Sequence, residues 1–225
     1  MIAPSTPARG PVLDAPVVLL PVGVDDDALD ACLAALDAGL ASIADAVRSW
    51  VFRLRSGDPG ALFSCANSRG PRGAAIIERW LQRTPLAADY SRRRRSIGEV
   101  AHLDGVLAAC ADADVVVLAP DAIPMPGWLG QLSACLARDA AIASATPWCN
   151  AGETAAWPRC GEIAALPDDP ERMARACALM PPRHPELPAA VGHAVALRGS
   201  ARQRVGGLDA ASYGSWYAAL VDLSL

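Results

Sequence analysis

Apolar positions along the chain follow two rhythms. Continuous runs such as APVVLLPV (Ala15–Val22) and VVVL (Val115–Leu118) end at a proline or a short turn, as in strands buried on both faces. Between them the spacing changes to that of a helix. Leu29, Leu33, Leu36 and Leu40 recur at +4, +3 and +4, and Asp25, Asp26 and Asp27 stand at the start, where caps and the helix dipole favour carboxylates. AAIIERWLQR repeats the helical spacing through Ile76, Ile77, Trp80 and Leu81, and SIGEVAHLDGVLAAC through Ile97, Val100, Leu103 and Leu107. GWLGQLSACLARD predicts a further helix, AAIASATPW a strand, and CNAGETAAWP a polar loop. After a Pro-rich stretch (Leu179–Pro188), AAVGHAVALRG predicts a strand and SARQRVGGLD a short helix closed by a Gly-Gly turn. Ala41–Gly60 is less regular: SWVFRLR has strand character and SGDPG is a turn, after which ALFSCANSRGPRG passes from a short apolar run into a loop. Strands alternating with helices predict an α/β sandwich with a largely parallel sheet.

Composition narrows the function classes. With 225 residues, 52% of them hydrophobic, the chain can build one large domain with a sizeable core. No apolar run approaches the ~20 residues of a membrane-spanning helix. MIAPSTPARGPVLDAP lacks the pattern of a signal peptide. Residues 1–15 read as a Pro-rich lead-in and 16–225 as a single domain, expected in the cytoplasm, with the inner membrane face open to it. A net charge of −4 argues against nucleic acid, whose binding needs excess positive charge. All basic residues are arginines, which removes Schiff-base chemistry and a P-loop lysine. The four arginines Arg92–Arg95 read as a solvated loop, with a phosphate or acidic membrane contact as the alternative. Seven widely spaced cysteines without a Cys-x-x-Cys pair suggest neither a disulfide framework nor a zinc site. No Gly-x-Ser-x-Gly elbow and no Gly-x-Gly-x-x-Gly turn occurs, which disfavours a serine hydrolase and a dinucleotide-binding dehydrogenase.

One polar residue stands out. Asp121 follows the Val115–Leu118 run by three residues, in DADVVVLAPDAIPMPGWL. In open α/β sheets ligands sit beyond the carboxyl ends of the strands, so this carboxylate is placed at a crevice. It could hold a hard cation bridging to a diphosphate. Asp is also an ordinary turn residue, and that reading stands beside the first.

The order of segments carries more. VVLLPV…ALDACLAAL, ANSRGPRGAAIIERW, ADADVVVLAPDAIPMPGWLGQL, ATPWCNAGE and LPAAVGHAVALRGSARQRVGGLD together resemble the family 2 glycosyltransferases, from about Pro16 to the last residue. The resemblance implies the GT-A fold, a three-layer α/β/α sandwich with a largely parallel central sheet. It implies a nucleotide-diphosphate sugar donor, a glycan or lipid-linked acceptor, and a divalent Mg²⁺ or Mn²⁺. Residue by residue it implies Pro21, Ser68, Asp121 and Asn150 on the donor side, with Asp121 also holding the metal. Trp128 and His193 fall on the acceptor side, where helix packing and a satisfied buried histidine are the competing roles. Asp222 is the acid in register for the catalytic base.

Three departures from the family pattern are visible. Cys65 stands where a base-contacting acid is expected, Ala119 replaces the first acid of the metal motif, and the chain ends three residues after Asp222, short of the family's full C-terminal helix. The implied reaction is inverting sugar transfer, in the setting of bacterial surface polysaccharide synthesis. A non-catalytic domain that binds a nucleotide sugar, a glycan or a partner protein is the alternative those departures leave open.

Overall fold

The computed structural model describes residues 16–22, 26–41, 71–86, 88, 97–110, 112–190 and 193–225. Among them are four strands, β1 (Val17–Leu19), β2 (Val115–Leu118), β3 (Ser144–Ala145) and β4 (Ala194–Leu197). Seven helices accompany them: α1 (Asp26–Ala41), α2 (Pro71–Leu81), α3 (Glu99–Ala109), α4 (Trp128–Ala137), α5 (Pro170–Ala178), α6 (Gly199–Val205) and α7 (Trp216–Leu223). The lead-in, the SWVFRLR and ALFSCANSRG segments with Cys65 and Ser68, and the Arg92–Arg95 run lie outside the described residues.

β2 is fully buried along its length, as its β-branched run requires. Val116 and Leu118 meet Leu29, Cys32, Leu33 and Leu36 of α1, Ile76, Ile77 and Trp80 of α2, and Leu132 and Leu136 of α4. Val115 and Val117 face the other way, onto Val100, Leu103, Val106 and Leu107 of α3 and Ala219 and Leu220 of α7. Each such side chain contributes about 1.5–3 kcal/mol through burial, and the sheet carries helices on both faces.

The strand order is β1-β2-β4-β3. β1 and β2 are parallel, whereas β4 is antiparallel to both β2 and β3. Among the described residues the sheet is therefore mixed, where a largely parallel one is expected from the sequence. The cause lies in residues 146–193, which leave β3 beside Ala196 and return to start β4 opposite Leu118. A chain that departs from and re-enters one edge of a sheet has to run back through it reversed. Neither the apolar run of β2 nor that of β4 contains this information.

Two arginines after β4 fix the opposite, amino edge. Arg198 donates through Nε to the Ile142 carbonyl (2.7 Å) and through its terminal nitrogen to the carbonyls of Leu136 and Asp139, closing the end of α4. Arg202, 9% exposed, donates to the carbonyls of Leu107 (2.6 Å) and Ala113 (3.3 Å), closing the end of α3. Cations at helix C-termini satisfy orphan carbonyls and oppose the negative end of the dipole. Gly199 between them is required: a Cβ there would lie 1.8 Å from the carbonyl oxygen of Asp112.

α5 follows a loop that the sequence reading left without a helix. Its signal is local: Asp169 caps it by accepting from the Arg172 amide (2.8 Å), and Pro170 occupies its first turn. It buries none of its residues, so no apolar stripe announces it.

Candidate functional site

β2 delivers the chain to its carboxyl edge, where the Ala122 amide donates to the Ala119 carbonyl (3.1 Å) and folds the backbone into a turn. Ala119 and Ala122 are buried, while Asp121 between them is exposed. The carboxylate thus projects from a buried base. Gly127 then adopts a φ of 82°, a left-handed conformation that costs glycine little, and turns the chain into α4.

Three elements bring side chains to this point. From α1, the Cys32 thiol points at the Ala119 carbonyl at 3.8 Å. Burial pushes that thiol up to about 12, and the negative charge of Asp121 adds to the effect, so it stays protonated and un-nucleophilic near neutrality. From the start of β4 comes His193. Its carbonyl accepts from the Ala119 amide at 2.7 Å, one step beyond the Leu118–Ala194 pair of the ladder. Burial lowers the His193 pKa, with Asp121 pulling it back in part, and its buried Nδ1 has no hydrogen-bond partner among the described residues. Pro21, two residues past the end of β1, is buried on the neighbouring strand of the same edge.

The remaining sequence-derived positions lie elsewhere or serve the framework. Trp128 is the first residue of α4, is 8% exposed, and sets its indole against Gly39 of α1. Asn150 donates through Nδ2 to the Ala164 carbonyl (2.9 Å) and receives the Ala164 amide on its own carbonyl (2.7 Å), cross-linking the loop after β3. Asp222, exposed on α7, accepts a hydrogen bond from the Tyr213 hydroxyl, and this pairing pushes the phenol pKa up. Asp209 caps its own turn through the amides of Ala211 and Ser212, both at 3.0 Å. The charge of Asp121 thus reaches both Cys32 and His193, whereas Asp222 is held on α7 by Tyr213. Cys32 was missed as a neighbour because its helical spacing marks only a core position.

Among the described residues no group of three His, Cys, Asp or Glu side chains has the arrangement of a metal centre. A closed protein cage is thus not present there. The donors at this edge suit a cation that completes its shell with phosphate oxygens and water. A small cavity lined by Pro16, Asp114, Ser133, Leu136, Ala196 and Arg198 lies at the opposite, amino edge, away from these groups. No helix among the described residues is long and apolar enough to cross a membrane.

No known family profile and no curated protein matches the chain. Among solved structures it is similar to the mannosyltransferase PcManGT from Pyrobaculum calidifontis, in complex with GDP-Man and Mn²⁺, with a TM-score of 0.52 and 14% sequence identity. The match covers 88% of this chain and 48% of that one, so the chain spans about half the length of that protein. At this identity the likeness is one of fold: the chain is a mixed α/β protein with a glycosyltransferase-like fold.

Proposed function

We propose that the chain is a glycosyltransferase of the GT-A, family 2-like type that moves a sugar from a nucleoside-diphosphate donor to a hydroxyl acceptor. The observation that carries this reading is Asp121, an exposed carboxylate at the carboxyl end of the buried central strand, in a fold shared with a nucleotide-sugar mannosyltransferase. Pro21, at the same edge, would form part of the nucleotide pocket, with Ser68 and Asn150 on the donor side. A bound Mg²⁺ or Mn²⁺ would supply positive charge against the departing diphosphate. Asp121 is its ligand in this chain.

The acceptor hydroxyl attacks the anomeric carbon as the bond to the diphosphate oxygen breaks on the opposite face, which inverts the configuration. Its proton passes to a carboxylate, and Asp222 is the residue assigned that role. The Tyr213 hydroxyl would fix the orientation of Asp222. Trp148, Trp157, Ile163 and Leu166 are exposed on the excursion that begins at the carboxyl edge, and this apolar surface suits a lipid-linked or glycan acceptor. Bacterial surface polysaccharide synthesis at the inner face of the membrane is the setting that fits such an acceptor.

A second reading has its own support. Ala119 lacks the first acid of the metal motif and Asp222 is engaged by Tyr213, which favours a domain that binds a nucleotide sugar, glycan or partner without turnover. Calorimetric titration of GDP and UDP, with and without Mn²⁺, into wild type and Asp121→Ala tests the donor site common to both. Metal-dependent binding that drops at least tenfold in the variant is expected. Absence of nucleotide binding by the wild type would sink both donor-site readings.

A further inference from the structure

We propose that Cys149 and Cys160 form a reversible disulfide that locks the loop after β3. Eleven residues separate them in the chain, but the fold brings both sulfurs to one turn. The Cys149 amide donates to the Ala155 carbonyl and the Trp157 amide to the Cys149 carbonyl, both at 2.9 Å, which pairs Cys149 with Ala156 in a parallel bridge. The Cys149 Sγ lies 2.7 Å from the Ala151 carbonyl oxygen and 3.3 Å from that of Ala155. The Cys160 Sγ lies 3.0 Å from the Thr154 oxygen and 3.8 Å from that of Ala156. Both sulfurs therefore rest against carbonyls of the same three residues, 154–156. The chain closes on this point from the other side as well. The Gly161 amide donates to the Gly152 carbonyl at 2.8 Å, and a Cβ on Gly152 would lie 3.0 Å from the Cys149 sulfur. Glycine at 152 thus leaves open the space beside that thiol.

The pair has the chemistry of a dithiol. Among the described residues no third His, Cys, Asp or Glu joins it in a metal-binding group. Burial raises the Cys149 pKa, the Ala151 hydrogen bond lowers it in part, and the charge of Cys160 raises it further, as two thiols in one small space require. Cys160 is exposed and Cys149 half-buried, so Cys160 meets the oxidant first. That oxidant is a small-molecule disulfide such as oxidised glutathione. Cys160 loses its proton and attacks one sulfur, which expels one glutathione thiolate and leaves a mixed disulfide. Cys149 loses its proton and attacks the Cys160 sulfur; the bond to glutathione breaks and the second thiolate leaves. The protein gives up two electrons and two protons, and oxidised glutathione becomes two reduced molecules. The new bond exchanges thiol contacts with backbone carbonyls for a covalent link across the loop that carries Asn150 and the exposed Trp157. It stands whether or not a donor binds there.

Equilibration of the full chain in mixtures of reduced and oxidised glutathione, with acid quenching, alkylation and tryptic mass spectrometry, tests this. Cleavage after Arg138, Arg159 and Arg172 puts the two thiols on separate peptides, so the disulfide is read as residues 139–159 joined to residues 160–172. The native chain is expected to form this link at least tenfold more favourably than the chain in concentrated urea, and reduced glutathione is expected to reverse it. Amides within residues 150–161 are expected to exchange with deuterium at least tenfold more slowly in the oxidised protein. Cys149→Ser is expected to retain glutathione on Cys160, whereas the wild type passes it on. A wild type that holds glutathione on Cys160 with Cys149 still open to alkylation overturns the proposal. A link no more favourable than in urea, or unchanged amide exchange on oxidation, overturns it equally, and both are read on the wild type without need of the variant.

Discussion

Asp37 lies about one turn from the end of α1, and its two oxygens take different donors from the α2 side. Oδ2 accepts from Trp80 Nε1 at 2.9 Å and Oδ1 from Thr84 Oγ1 at 2.7 Å. Trp80 is 1% exposed, whereas Asp37 and Thr84 are half-buried. Hydrogen bonds to a charged group are each worth about 1.5–3 kcal/mol net, and partial exposure lets water repay some of that. Asp37→Ala should therefore cost about 2–4 kcal/mol, or roughly 5–15 °C in Tm for a domain of this size. Asp37→Asn keeps an acceptor for the indole and can donate its amide to the Thr84 hydroxyl, so it should lose less than about half as much. Urea unfolding followed by tryptophan fluorescence measures both variants, and Thr84→Val closes a double-mutant cycle. An Asp37→Ala protein within about 0.5 kcal/mol of wild type would refute the reasoning, as would an Asn variant as damaged as the Ala one.

Two further outcomes follow from single groups. Gly199→Ala should abolish soluble expression or cost more than about 4 kcal/mol, because backbone rather than a movable side chain occupies the space of its Cβ, as thermal unfolding of any recovered protein would reveal. Cys32 should resist a thiol reagent at pH 8 while exposed Cys160 and Cys177 react, which peptide mapping after alkylation would check. The same burial makes the fold alkali-sensitive. In the unfolded chain the Cys32 thiol ionises near 9.0, in the fold only near 12, so its contribution is intact below pH 9 and is lost as pH rises toward 12. The loss reaches as much as about 4 kcal/mol. A urea midpoint that does not fall between pH 9 and 11 would contradict it.

Local rules made much of the fold readable. β2, α1, α2, α3, α4, α6 and the place of Trp128 at a helix start all fall where periodicity and turn residues predict them, because each buries a face whose spacing is written in the chain. Boundaries were trimmed where packing ends: the run Ala15–Val22 pairs only over Val17–Leu19, and AAIASATPW only at Ser144–Ala145. α5 escaped because it buries nothing, although Asp169-Pro170 spells its cap.

The sequence by itself determined the class of protein, α/β with strands buried on two faces, and placed one carboxylate at a strand end. Those properties depend on hydrophobic period and on the residues that stop a run, both of which act within a few positions. Only the tertiary structure decided that β4 runs backward between β2 and β3, because direction depends on where a 48-residue excursion re-enters the sheet. That reversal sets His193 opposite Ala119, within reach of the charge of an aspartate 72 residues away in the chain. It also leaves Asp222 to Tyr213, a pairing set by how α7 folds back on the turn before it. Proximity across a sheet is a product of topology, and no local pattern in either segment encodes it.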